Sequence, residues 1–146
     1  MVIASLPYVL GVTTVIFGKH IDKISVDTAK KIHTLPVVIG EKIARYAVMA
    51  MMILPYLFTG YLIVTKFFTP VMLIILFAIP ALLRSLPPLM QPKPETRPEG
   101  FPDGQGGWPL YFAPIAFRNN RSFGSLFMLG MLLDVALRIF MPTFWR

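Results

Sequence analysis

Two of the chain's four aspartates, Asp22 and Asp27, fall in one short charged segment. The same segment holds both histidines, His20 and His33, and the lysines Lys19, Lys23, Lys30 and Lys31. Such carboxylates suit a hard cation, because Mg²⁺ is held by one or two carboxylates plus the phosphate oxygens of a substrate. Neighbouring lysines suit the phosphate charge that the metal leaves unneutralised. The segment from Gly18 to Glu41 therefore has the composition to receive a Mg²⁺-bound diphosphate, with Asp27 and Asp22 on the metal and Lys23, Lys30 and Lys31 on phosphate oxygens. A plainer arrangement uses the same residues. Lys23, Asp27 and Lys31 are spaced i, i+4, i+8, and on a continuous helix they would form a salt-bridge ladder worth roughly a few tenths of a kcal/mol per pair.

Spacing also limits the metal reading. On a continuous helix, residues five apart diverge by roughly 140°, whereas residues four apart differ by about 40°. Asp22 can thus join Asp27 on one cation only where the helix ends or bends between them. The two histidines are too few for a zinc site. With no cysteine in the chain there is no disulfide framework, no thiolate metal site and no cysteine nucleophile. No residue is assigned as catalytic.

Three further groups carry charge in suggestive places. Arg84, near the end of an apolar run, could reach a diphosphate or simply extend its head to the interface. The string Phe117-Arg-Asn-Asn-Arg121 precedes the last apolar run. The free N–H groups of a helix start there would make Arg121 part of an anion site, with an N-cap flanked by anchoring arginines as the other reading. Asp134 lies inside that last run, where ionisable residues are functional or paired, and Arg138 stands at i+4 to pair with it.

The elements that must hold these residues are apolar. In 146 residues, 55% are hydrophobic and only 14% charged, against about 25% charge in ordinary soluble domains, and the mean hydropathy is +0.67. This excludes a disordered chain, a coiled coil and a typical water-soluble enzyme. The length fits one domain over residues 1–146. Four runs approach the roughly 20 residues a spanning helix needs: Val2–Gly18, Tyr46–Thr65, Phe67–Leu83 and Ser122–Phe140. The expected fold is all-α, an integral membrane protein with four transmembrane helices. A shorter apolar stretch, Trp108–Phe117, reads as interfacial or re-entrant. No basic region precedes the first run, so it does not resemble a secretory signal.

The formal charge is +7, and its placement sets an orientation. Lys19, Lys23, Lys30, Lys31, Lys42, Arg45, Arg84, Lys93, Arg97, Arg118 and Arg121 fall in the two long inter-run segments, leaving only Lys66, Arg138 and Arg146 opposite. Positive residues stay cytoplasmic, so a multi-pass cell-membrane protein with both charged loops on the cytoplasmic side is expected, one of them a Pro/Gly-rich loop over 87–121. Basic residues interleaved with apolar runs, without an RNA-binding signature, argue against nucleic acid as a partner. Trp108, Tyr111 and Trp145 read as interface aromatics.

The string Asp27-Thr-Ala-Lys-Lys-Ile-His-Thr-Leu-Pro-Val-Val-Ile-Gly-Glu41 resembles the second aspartate motif of the UbiA superfamily of intramembrane prenyltransferases. In that family an aspartate-bearing helix end is followed by basic residues, Thr-Leu-Pro or a relative, a short apolar run and Gly. The resemblance covers the C-terminal half of a family member. It implies Mg²⁺-dependent transfer of a prenyl group from a prenyl diphosphate to a membrane-soluble aromatic or lipid acceptor. Two departures stand out. Family members usually carry Asp-x-x-x-Asp, whereas Lys23 occupies the position four before Asp27. The family's first motif, Asn-Asp-x-x-Asp, does not occur in the chain, so a partner half carrying it is the expected complement. The alternative is a non-catalytic four-helix membrane protein that binds lipid headgroups or diphosphates.

Overall fold

A computed structural model of the chain describes residues 2–101 and 107–141. Its elements are all helical: α1 (Val2–Asp22), α2 (Ile24–Ala29), α3 (Leu35–Ile39), α4 (Glu41–Val64), a 3₁₀ stretch (Pro70–Ala78) running into α5 (Ile79–Met90), and α6 (Phe112–Phe140). The four long rods alternate in direction. The end of α1 meets the start of α6 through Asp22 and Tyr111, and the start of α4 meets the end of α5 through Arg45 and Leu89. Both charged inter-helix segments therefore meet at one pole of the bundle, which we call the charged pole.

Three helices are long and apolar enough to cross a membrane: Glu41–Val64, Pro70–Met90 and Phe112–Phe140. The expected count of four is corrected to three among the described residues. The exception is α1, which is interrupted by Ser5, Pro7, Thr13 and Thr14 and closes on Lys19, His20 and Asp22. Its threonines turn back on their own helix, Thr13 donating to the Val9 carbonyl and Thr14 to that of Gly11. It nevertheless packs along both α4 and α6. Gly18 makes that approach possible, since a Cβ there would sit 3.0 Å from the Phe112 carbonyl oxygen.

Two apolar clusters fill the bundle. At the charged pole, Ile21, Val48, Met52, Leu89, Phe112 and Ala116 pack together. Toward the other end, Leu62, Phe68, Met72, Ile75, Phe123 and Phe127 do so, with the Phe123 and Phe127 rings stacked at 5.6 Å. The far pole is fastened by Asp134, which accepts from the Thr69 backbone N–H at 2.6 Å and from Arg138 Nε at 2.9 Å. Arg138 also donates to the Phe67 carbonyl. Asp134 is thus the paired, structural residue.

The loop expected over 87–121 is narrower. Pro87 and Pro88 belong to the final turn of α5; lacking N–H groups, they give the Leu83 and Arg84 carbonyls no intrahelical donor. Residues 112–121 are the opening turns of α6. Pro114 is tolerated there because a first-turn N–H has no intrahelical partner to lose. Buried Phe112, Ile115, Ala116, Asn119 and Phe123 give that segment a helical period. The stretch Trp108–Phe117 is accordingly the lead-in and first turns of a helix long and apolar enough to cross a membrane, not a separate re-entrant piece. Arg146 and Trp145 lie outside the described residues.

Candidate functional site

The charged segment folds as two short helices between α1 and α4. The first ends after Ala29 in a left-handed turn, with Lys31 at φ 56°. The Ile32 N–H then reaches back to the Asp27 carbonyl at 2.9 Å, and that of Lys31 to Thr28 at 3.0 Å, the paired bonds of a Schellman C-cap. The Thr-Leu-Pro-Val-Val-Ile-Gly string explains itself next. Pro36 stands in the first turn of α3, where its fixed φ starts a helix. Gly40, at φ 83°, ends α3 and begins α4 in a conformation that side-chain-bearing residues avoid.

This path turns Asp27 inward. Only 8% of it is exposed, although it sits on a six-residue helix in a surface segment. The Thr34 hydroxyl lies 3.5 Å from its Oδ2, at the outer limit for a hydrogen bond, and His20 Nδ1 lies 3.7 Å away. That histidine nitrogen is buried and makes no hydrogen bond. Lys23, Lys30 and Lys31, in the same segment, are exposed. Among the described residues none of them forms an ion pair with Asp27. The i, i+4, i+8 ladder fails because the helix is broken at both ends, at Lys23 before it and at Lys30 after it.

Asp22 has a different task. The helix does end between the two aspartates, as sharing a cation would require, yet Asp22 faces α6. Its Oδ1 accepts the N–H groups of Tyr111 at 2.9 Å and Phe112 at 3.0 Å, and its Oδ2 that of Ala113 at 2.9 Å. Its side chain is fully buried, with Lys93 Nζ 3.9 Å away. Burial pushes its carboxyl above the ordinary carboxylate range, against the pull of those three N–H groups and of Lys93. Asp22 is a helix cap supplied by another helix, and as a metal ligand it is corrected to a structural role. No group of three His, Asp or Glu residues is placed to hold a metal among the described residues.

The remaining candidates are dispersed. Arg84 lies on the exposed side of α5, six residues before its end. Arg121 lies in the third turn of α6, beside Arg118 in a cleft whose lining does not include Asp27. The helix start envisaged near Arg121 is really at Phe112, and Asp22 already occupies it. The sequence reading missed the latch beside the site. Arg45, 8% exposed, donates to the Leu89 carbonyl at 3.2 Å, and its Nε lies 3.4 Å from Glu41. Glu41 accepts from the Lys93 N–H at 3.4 Å. The Lys93 ammonium donates to the Pro109 carbonyl and lies 5.3 Å from the Trp108 ring centre. The only sequence signal of this latch was the i, i+4 spacing of Glu41 and Arg45.

Compared with known protein families, with curated proteins and with solved structures, the chain matches none.

Proposed function

We propose that the charged pole binds a prenyl diphosphate, and that the chain takes part in Mg²⁺-dependent transfer of its prenyl group to an aromatic or lipid acceptor, as in the UbiA superfamily its motif resembles. The observation that carries this reading is Asp27. Its carboxylate is largely buried beside His20 and Thr34, has no ion pair with a lysine, and lies in a segment that also carries three exposed lysines, Lys23, Lys30 and Lys31. A structural ladder would pair Asp27 with Lys23 and Lys31, and no such pair forms among the described residues. The donor set fits one Mg²⁺, since that ion is held by one or two carboxylates and completes its shell from phosphates and water. Asp27 would hold it, with the Thr34 hydroxyl alongside. Bound Mg²⁺ supplies charge neutralisation to a departing diphosphate. Lys23, Lys30 and Lys31 would take the outer phosphate oxygens, and the apolar bundle below would keep the prenyl tail out of water. The first aspartate motif, which does not occur in these residues, would come from a partner half or from preceding sequence.

The second reading is a non-catalytic membrane protein that binds diphosphates or lipid headgroups. Its support is the loss of Asp22 to capping, which leaves a single carboxylate at the site. Both readings predict binding. With the chain in nanodiscs, calorimetry with geranylgeranyl diphosphate should show Mg²⁺-dependent binding that Asp27→Asn weakens by at least tenfold, because losing a metal ligand costs several kcal/mol and losing a surface ion pair less than about 1. Unchanged affinity in that variant would sink both. Prenyl transfer on adding a fragment that carries Asn-Asp-x-x-Asp separates the enzyme from the binder.

A further inference from the structure

A cleft of about 810 Å³ opens beside the first turns of α6, apart from Asp27. One wall is α6 itself, with Pro114, Phe117, Arg118 and Arg121. The facing wall is the strap after α5, from Pro98 to Phe101, with Pro88 at its root. The strap is held in shape. Arg97 donates to the Phe101 carbonyl, and the Phe101 ring stacks on Tyr111 at 5.4 Å. The lining is mostly apolar, with a cationic end made by two arginines at i, i+3 on one helix face. Both guanidinium groups are exposed, and neither makes an ion pair with a described residue. Glu99 also lines the cleft and leaves both arginines unpaired.

The depth of these arginines follows from helix length. With 29 residues, α6 is about 43 Å long, while the hydrocarbon core is about 30 Å thick. About 20 residues suffice to cross, and the apolar part of α6 from Ser122 to Phe140 is of that length. The opening turns, Phe112 to Arg121, then stand in the headgroup layer. Arg118 and Arg121 would then be at the level of lipid phosphates, with Phe117 and Phe101 lining the same cleft.

We infer that this cleft is a binding site for an anionic phospholipid, its phosphate held by Arg118 and Arg121 and the first part of its hydrocarbon laid against Phe117, Phe101 and Pro88. Arginine forks match phosphate oxygens in pairs, and the apolar wall selects an amphiphile over a free anion. The inference is independent of the diphosphate reading at Asp27.

Native mass spectrometry of the full chain, released from detergent micelles doped with phosphatidylglycerol, tests it. The wild type should retain a tightly held phosphatidylglycerol, and phosphatidylcholine should bind at least tenfold more weakly. The double variant Arg118→Gln/Arg121→Gln should lose at least tenfold in phosphatidylglycerol affinity. Arg118→Lys/Arg121→Lys should lose less, and Lys66→Gln, at the far pole, should change nothing. Since all these side chains are exposed, unaltered helical circular dichroism is expected for every variant. Equal retention by the wild type and the double glutamine variant would overturn the site. Inorganic phosphate displacing the lipid at an equal concentration would overturn the lipid as its ligand. Phe101→Ala should weaken the lipid without changing phosphate binding.

Discussion

Replacing Asp22 by alanine removes one side chain from α1 and strands three N–H groups at the start of α6. Two of those groups belong to residues with almost no exposure, Phe112 at 0% and Ala113 at 8%. An ordinary N-cap lost to alanine costs about 1 kcal/mol, and a buried donor left without a partner costs about 1–3 kcal/mol. Water entering the space left by the carboxylate recovers part of this, which puts Asp22→Ala at about 2–4 kcal/mol. For a chain of this size that is a drop in Tm of roughly 6–16 °C. Asp22→Asn should cost less, since its carbonyl keeps the Tyr111 and Phe112 bonds while its amide faces the Ala113 N–H. The pH dependence has a defined sign. Burial raises the folded carboxyl above its ordinary 3.8, so the folded state holds that proton more tightly than the unfolded chain does. The proton-linked part of its contribution is present below 3.8 and is lost as pH rises through the folded value, while the bonds to the three N–H groups remain. Asp22→Asn should remove that slope. Thermal unfolding in detergent between pH 3.5 and 7 reads both effects. A Tm change under about 2 °C in Asp22→Ala would refute the cap as a fastening of the fold.

Three further outcomes follow from the backbone and the charge pattern. Gly40→Ala should destabilise by about 1 kcal/mol or more, because Gly40 sits at φ 83°; chemical denaturation in mixed micelles measures it. Lys31→Gly should stabilise by about 1 kcal/mol by relieving its left-handed conformation, while weakening diphosphate binding, so that melting and calorimetry move in opposite directions. Cysteines placed at Ser25 and Glu95 should both be labelled from the cytoplasmic face only, and labelling of either from outside would reverse the expected orientation.

What could be read from the sequence was local in the chain. The Asp134–Arg138 pair is legible because i and i+4 adjoin on any helix, and the start and stop of α3 because Pro36 fixes φ for a helix start and Gly40 can take the positive φ of a helix stop. Apolar runs located α4, α5 and α6, since lipid admits few other segments. Asp22 was illegible for the opposite reason. Its partners are backbone N–H groups, which every residue but proline carries, so no residue type marks them. The opening of α6 was hidden by Pro114 and the polar string Arg118-Asn-Asn-Arg121, which read as loop until Phe112, Ala116 and Phe123 pack against the other helices. Asp27 stood between: its motif was visible, but its burial depends on the turn at Lys23, which no spacing rule predicts.

The cap on α6 also has an order in time. Asp22 is made early, and its three partners follow 89, 90 and 91 residues later. At the far pole, Thr69 waits 65 residues for Asp134. Until α6 emerges, the carboxylate of Asp22 lacks its three N–H partners, and the backbone N–H of Thr69 lacks Asp134. The last helix therefore closes both ends of the bundle at once. A ribosome paused within α6 would leave a chain whose earlier helices are inserted but whose two poles are open, the state in which membrane quality control would have the most to recognise.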